Sequence, residues 1–151
     1  MASSAGARHP GGAPGAARPA TLRRTAFTGY HWLLAAFLAA GCAQVFLAGL
    51  GVFSFGDHDA AAGTSAFDAH RALGWGLAGV AIVIFVLALI ARAGAARVAL
   101  SGVLVLQTTV LQSLLAGLAD SAALYGGLHA LDGFLILGIA GGLYATSRRR
   151  A

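Results

Sequence analysis

Four apolar runs separated by short polar breaks set the pattern of this chain. The first extends over about 27–55, with Tyr30 and Trp32 at its entry, where interfacial aromatics belong. A break from Ser54 to Ser65 holds Gly56, Asp57, His58, Asp59 and Gly63. Ser65-Ala66-Phe67-Asp68 then reads as a capping box, with Asp in place of Glu, opening a second helix over about 66–91. The turn RAGAAR, Arg92 to Arg97, leads to a third helix over about 98–118. Ala119-Asp120-Ser121 caps a fourth over about 122–146, which stops at Arg148-Arg149-Arg150. Each run exceeds or matches the roughly 20 helical residues that a hydrocarbon core requires. Short connections make neighbours antiparallel, so the pattern predicts an all-α integral membrane protein, an up-down-up-down four-helix bundle. Residues 1–25, rich in Ala, Gly, Pro, Ser and Arg, read as a disordered tail, and 148–151 as a short basic end.

Composition agrees with that reading: 58% of the 151 residues are hydrophobic and only 10% charged, against about 25% in ordinary soluble domains. The net charge of +5 raises nucleic-acid binding as a class. The arginines lie instead where they orient a membrane protein. Nine of ten fall in the N-terminal segment, the second connection and the C-terminus, whereas four of five aspartates lie in or beside the other two connections. Both termini are thus expected in the cytoplasm of a cell with a plasma-membrane location, and no nucleic-acid partner is expected. The expected partners are the lipid bilayer and a membrane protein or a second copy of the chain. Cys42 alone supports neither an internal disulfide nor a multi-cysteine metal site. Arg23-Arg24 and Ala39-Ala40-Gly41-Cys42 resemble a signal and a lipoprotein cleavage box. Because the chain after Cys42 stays apolar, an uncleaved helix is expected.

A repeat runs through the apolar segments. His70, Gly74, Trp75, Gly79 and Ala81 match His129, Gly133, Phe134, Gly138 and Ala140 in the pattern H-x3-G-[WF]-x3-G-x-A. Gln44 to Leu50 likewise matches Gln112 to Leu118 as Q-x2-L-A-G-L. The order is a glutamine helix, an outer turn and a histidine helix, twice, which predicts a two-helix repeat about an axis along the membrane normal.

The repeat sets two histidines at similar depth in the second and fourth helices, which are diagonal partners in a four-helix bundle. Two imidazoles opposed across such a bundle can supply both axial ligands of one haem iron. Gly74 and Gly133 lie one turn below them, where they either make room for a porphyrin edge or allow close helix packing. Gly138 and Gly142 are expected to form a packing contact. Asp132 is costly at its depth unless paired. Its candidate partners are the free N–H of His129, Arg71, Gln112 and Thr109. Arg71 is a candidate for a haem propionate or for snorkelling to lipid phosphate. Gln107, Thr108, Thr109 and Gln112 give the third helix a polar patch. His31 has no partner histidine at its depth, His9 and His58 fall in polar segments, and Asp57-His58-Asp59 is expected to be a solvated loop, not a divalent-metal site.

His70-Arg71, the glutamine-rich third helix ending in Gln112-Ser-Leu-Leu-Ala-Gly-Leu118, and Leu128-His129 resemble one four-helix half of the haem A synthase family. That resemblance implies a histidine pair on the second and fourth helices and haem as cofactor. The family's catalytic half has a glutamate three residues before the first histidine, where this chain has Phe67, with Asp68 one place later. The chain also resembles the small four-helix membrane proteins common in high-GC Gram-positive bacteria, a likeness that implies no activity.

The expectation is therefore a b-type cytochrome-like membrane protein. It binds one haem b through His70 and His129, with Arg71, Gly74, Gly133 and Asp132 around it, for electron transfer or haem handling and not as an enzyme on its own. The alternatives are a cofactor-free accessory protein with a buried His/Asp network, and a small transporter or quinone-binding subunit.

Overall fold

The computed structural model describes residues 17–56 and 59–149. The expectations for residues 1–16, including His9, and for Asp57, His58 and Arg150 lie outside the described residues. The chain is all-helical: α1 (Ala17–Gly56), α2 (Ala60–Ile90), α3 (Ala95–Leu106), a π-helical segment (Gln107–Leu111), α4 (Gln112–Leu118) and α5 (Ala123–Arg148). The α3–π–α4 series is continuous, so there are four helices long and apolar enough to cross a membrane.

Three helices begin earlier than the polarity pattern predicts. α3 starts at Ala95, not at about 98, with Gly94 as its N-cap, so the second half of the RAGAAR turn is helical. The other two differ by more. α1 starts at Ala17, inside the segment read as a tail, and its 40 residues span about 60 Å. Ala, Leu and Arg are good helix formers, and Pro19 falls in the first turn, where its missing N–H costs nothing. α2 starts at Ala60, not at Ala66: Asp59 is its N-cap and accepts from the Ala62 backbone N–H at 3.0 Å. The expected capping box at Ser65–Asp68 is thus helix interior. Packing holds this extra turn, because Gly63 admits the Phe55 ring and Phe55 stacks on Phe67 at 5.9 Å. The α5 start differs too. Asp120 and Ser121 do not cap it; Ala122 is its N-cap without a side-chain bond, and the Ser121 hydroxyl donates back to Leu118 O.

α1 packs on α2 and α5, and the α3–π–α4 series packs on α2 and α5. Among the described residues α1 and α3 make no backbone approach, nor do α2 and α5, so these are the diagonal pairs. The core is built from Tyr30, Leu34 and Phe37 of α1, Leu77, Ala81, Ile84 and Ala88 of α2, Leu104 of α3, and Ile136, Ala140 and Leu143 of α5. Their three- and four-residue spacing lines one stripe on each helix. Every large, fully buried side chain among the described residues lies in the half toward the α2–α3 turn. In the opposite half, which contains both repeat histidines, the side chains are less deeply buried.

Candidate functional site

His70 is the eleventh residue of α2 and His129 the seventh of α5, yet their rings meet across the bundle with centroids 6.2 Å apart and planes at 60°. The extra turn of α2 changes the count of His70 from the helix start without changing the level at which the two rings face each other.

Each ring is held the same way. His70 Nδ1 lies 3.0 Å from Gln44 O, and His129 Nδ1 lies 3.2 Å from Gln112 O. A carbonyl oxygen can only accept, so in the neutral ring Nδ1 carries the proton and Nε2 keeps its lone pair. The glutamines return the contact: Gln44 Nε2 donates to His70 O at 2.8 Å, and Gln112 Nε2 donates to His129 O at 3.0 Å. The Q-x2-L-A-G-L and H-x3-G stretches therefore face each other in both copies, joined by reciprocal side-chain-to-backbone bonds. The repeat is a repeat of structure as well as of letters. Trp75 and Phe134 both point outward, 66% and 62% exposed, whereas Ala81 and Ala140 are wholly buried.

The glycines after the histidines serve these bonds. A Cβ on Gly74 would stand 3.1 Å from Gln44 Nε2, and one on Gly133 would stand 3.8 Å from Gln112 Nε2. Gly74 is thus a close approach that lets the Gln44 amide reach the helix backbone. Nothing lies within 4 Å of a Cβ built on Gly79, Gly138 or Gly142, so the packing contact expected at Gly138 and Gly142 does not form among the described residues.

Asp132 differs from every single-partner expectation. It is 6% exposed, and its two oxygens accept separately from Gln107 Nε2 at 2.7 Å and Gln112 Nε2 at 2.9 Å. Of the partners considered from sequence, Gln112 is present, while Arg71, Thr109 and the His129 ring are not. Gln112 carries one amide hydrogen to His129 O and the other to Asp132, and so couples the carboxylate to the histidine's helix. The π segment makes this possible. Residues 107 and 112 would stand about 140° apart on an α-helix. Here the Gln112 backbone N–H bonds Gln107 O, five residues back, which brings both side chains onto one face. No sequence signal in the apolar run marks that extra residue per turn; the crowding of Gln107, Thr108, Thr109 and Gln112 is the visible hint. Thr108 and Thr109 spend their hydroxyls on Leu104 O and Val105 O within their own helix.

Arg71 is turned outward. Its Nη2 donates to Asp68 at 2.8 Å in an exposed pair, so a propionate would have to compete with Asp68 for it. A cleft of about 660 Å³ between the π–α4 segment and α5 is lined by Leu111, Leu115, Leu128, Leu131, Phe134 and Leu135, and Asp132 also borders it.

At the other end of the bundle, His31 is also buried, which its lack of a partner histidine does not suggest. Its Nδ1 lies 2.7 Å from Ser147 Oγ, and its ring stacks on Tyr144 at 4.8 Å. Ser147 donates its hydroxyl to Tyr144 O, so His31 is the donor to Ser147. This cluster ties α1 to α5. Among the described residues no group of three or more His, Cys, Asp or Glu side chains could hold a metal ion.

Fold and site define a four-helix, membrane-compatible protein with a paired-imidazole centre. Residues 44–121 match the family of unknown function DUF6220. The match covers just over half of the chain, from Gln44 through His70 and the π segment to Ser121, and the chain belongs to that family. No curated protein and no solved structure shows significant similarity to it.

Proposed function

We propose that the protein is a b-type cytochrome-like membrane protein whose His70 and His129 hold one haem b between α2 and α5. The observation that carries this reading is the opposition of the two rings, 6.2 Å apart, with both Nδ1 atoms engaged by backbone carbonyls. An iron bound at about 2 Å by each nitrogen, with roughly 1 Å more to each ring centre, sets the centres about 6 Å apart. Fixing Nδ1–H on a carbonyl presents Nε2 as the ligating atom and limits ring rotation, as outer partners of histidine ligands do. When bound, haem would supply one-electron chemistry; the chain's own contribution is to hold the imidazoles and fix their tautomer.

In this reading the protein spans the plasma membrane up-down-up-down, with both termini in the cytoplasm and the histidine level toward the outside. Arginine at the termini and in the α2–α3 turn supports that orientation. The likeness to one half of haem A synthase supports the cofactor, while synthase chemistry is not proposed. Asp68, the nearest substitute for that family's glutamate, is spent on Arg71 at the surface. The test is haem stoichiometry of the full chain purified from haem-replete cells. One haem per chain is expected, and a protein that neither retains haem nor takes it up on titration overturns the proposal.

A second reading has its own support. The glutamine, histidine and Asp132 side chains already form a hydrogen-bonded network, so a cofactor-free accessory protein would need nothing added. The same measurement separates the two.

A further inference from the structure

At the opposite end from His70 and His129, a cleft of about 600 Å³ opens between the start of α1 and the α2–α3 turn. Arg23, Arg24 and Arg92 all line it, with Phe27, Ala91 and Ala93 as its apolar wall. The early start of α1 matters here. It continues the helix through Arg23 and Arg24 and so carries them to Arg92, which the turn holds in the left-handed region at φ +48°.

Nothing among the described residues balances this charge. Asp59 caps α2, Asp68 pairs with Arg71, Asp132 lies between two glutamines, and Asp120 is in the turn at the other end of the bundle. The contrast with Arg97 is informative. Arg97 donates to Ala93 O and Thr146 O and so tacks the turn to α5, whereas the side chains of Arg23, Arg24 and Arg92 donate to no acceptor among the described residues. Three guanidiniums converging on one cleft repel one another unless an anion joins them. The level of the cleft narrows the choice: α1 changes there from arginine to its apolar run at Phe27, and the apolar run of α2 ends there at Ile90. In a bilayer spanned by these apolar runs, that level is the depth of lipid phosphates, and an apolar wall beside a cationic one suits a headgroup with its acyl chains attached.

We propose that this cleft binds the phosphate headgroup of an anionic phospholipid, with a diphosphate lipid of the cardiolipin type the best charge match. The proposal is independent of the haem reading. The full chain in phosphatidylcholine-containing micelles is titrated with cardiolipin and, separately, with sodium phosphate, following bound lipid by native mass spectrometry and the thermal unfolding midpoint. Cardiolipin should be retained and should raise the midpoint saturably. Arg92→Gln should weaken binding roughly fivefold, and Arg23→Gln/Arg24→Gln/Arg92→Gln together roughly a hundredfold. Arg71→Gln, which removes one charge at the far end as Arg92→Gln does at the cleft, should leave binding unchanged. Wild-type affinity in the triple variant, or equal weakening by Arg71→Gln, overturns the site. An equal midpoint rise with inorganic phosphate overturns the lipid and assigns a soluble anion.

Discussion

The two copies of the glutamine–histidine pair are alike in bonding and unlike in surroundings. In the first, Gln44 and His70 exchange two bonds and, among the described residues, no other polar side chain bonds to them; Leu73 stands where the second copy has Asp132. Gln44 Oε1 is buried without a partner among the described residues. In the second, Gln112 and His129 exchange the same two bonds, and Gln112 also reaches Asp132, which Gln107 clamps from the other side. α1 has Ala39 and Ala40 at the places where a second glutamine would be needed. The duplicated element therefore positions an imidazole, and the second copy adds a buried carboxylate made tolerable by a π turn. What is shared is the imidazole held by a carbonyl; what differs is the carboxylate that only the second imidazole has nearby.

The largest expected effect breaks the shared part. His70→Ala and His129→Ala should each abolish haem retention, because one imidazole leaves half of the axial set, while far-UV circular dichroism stays helical. Retention in either variant would remove that histidine from the ligand set.

The next effect breaks the difference. Asp132→Leu leaves the Gln107 amide and one hydrogen of Gln112 without acceptors and should cost about 2 kcal/mol in reversible unfolding in detergent. Leu73→Asp should not be a gain either. It sets a carboxylate beside Gln44 alone and should cost about 3 kcal/mol at mid-helix depth. Equal stability of Leu73→Asp and wild type would show that the clamp by two glutamines is dispensable.

The smallest effect sharpens the comparison. Gly74→Ala presses on the Gln44 amide and should cost about 1 kcal/mol by weakening its bond to His70 O. Gly133→Ala meets only ordinary contact and should lie within about 0.5 kcal/mol of wild type, since alanine is the better helix former. Thermal midpoints of the two variants check this; the reverse order would contradict Gly74 as the close approach for the Gln44 amide.

The apolar periodicity is enough to read four long helices and the repeat, because a membrane span depends mostly on length and hydropathy. It also brings His70, His129, Gln44 and Gln112 to notice, since polar residues stand out in such runs. Helix starts are less legible. At Asp59 a good cap precedes three alanines, and at Ala17 helix formers continue beyond the apolar limit, so polarity alone begins both helices too late. The role of Gly74 is hidden because packing and cofactor clearance leave the same letter. The Asp132 clamp is hidden because a π turn changes which residues share a face, and nothing in Gln107–Leu111 announces that change of period.

The most direct test of the paired-histidine centre is the visible spectrum of the purified full chain, oxidised and then reduced with dithionite. Two imidazoles on one iron predict a Soret band that shifts on reduction, with α and β bands that sharpen. A colourless protein from haem-replete cells, or a spectrum unchanged by reduction, would contradict it.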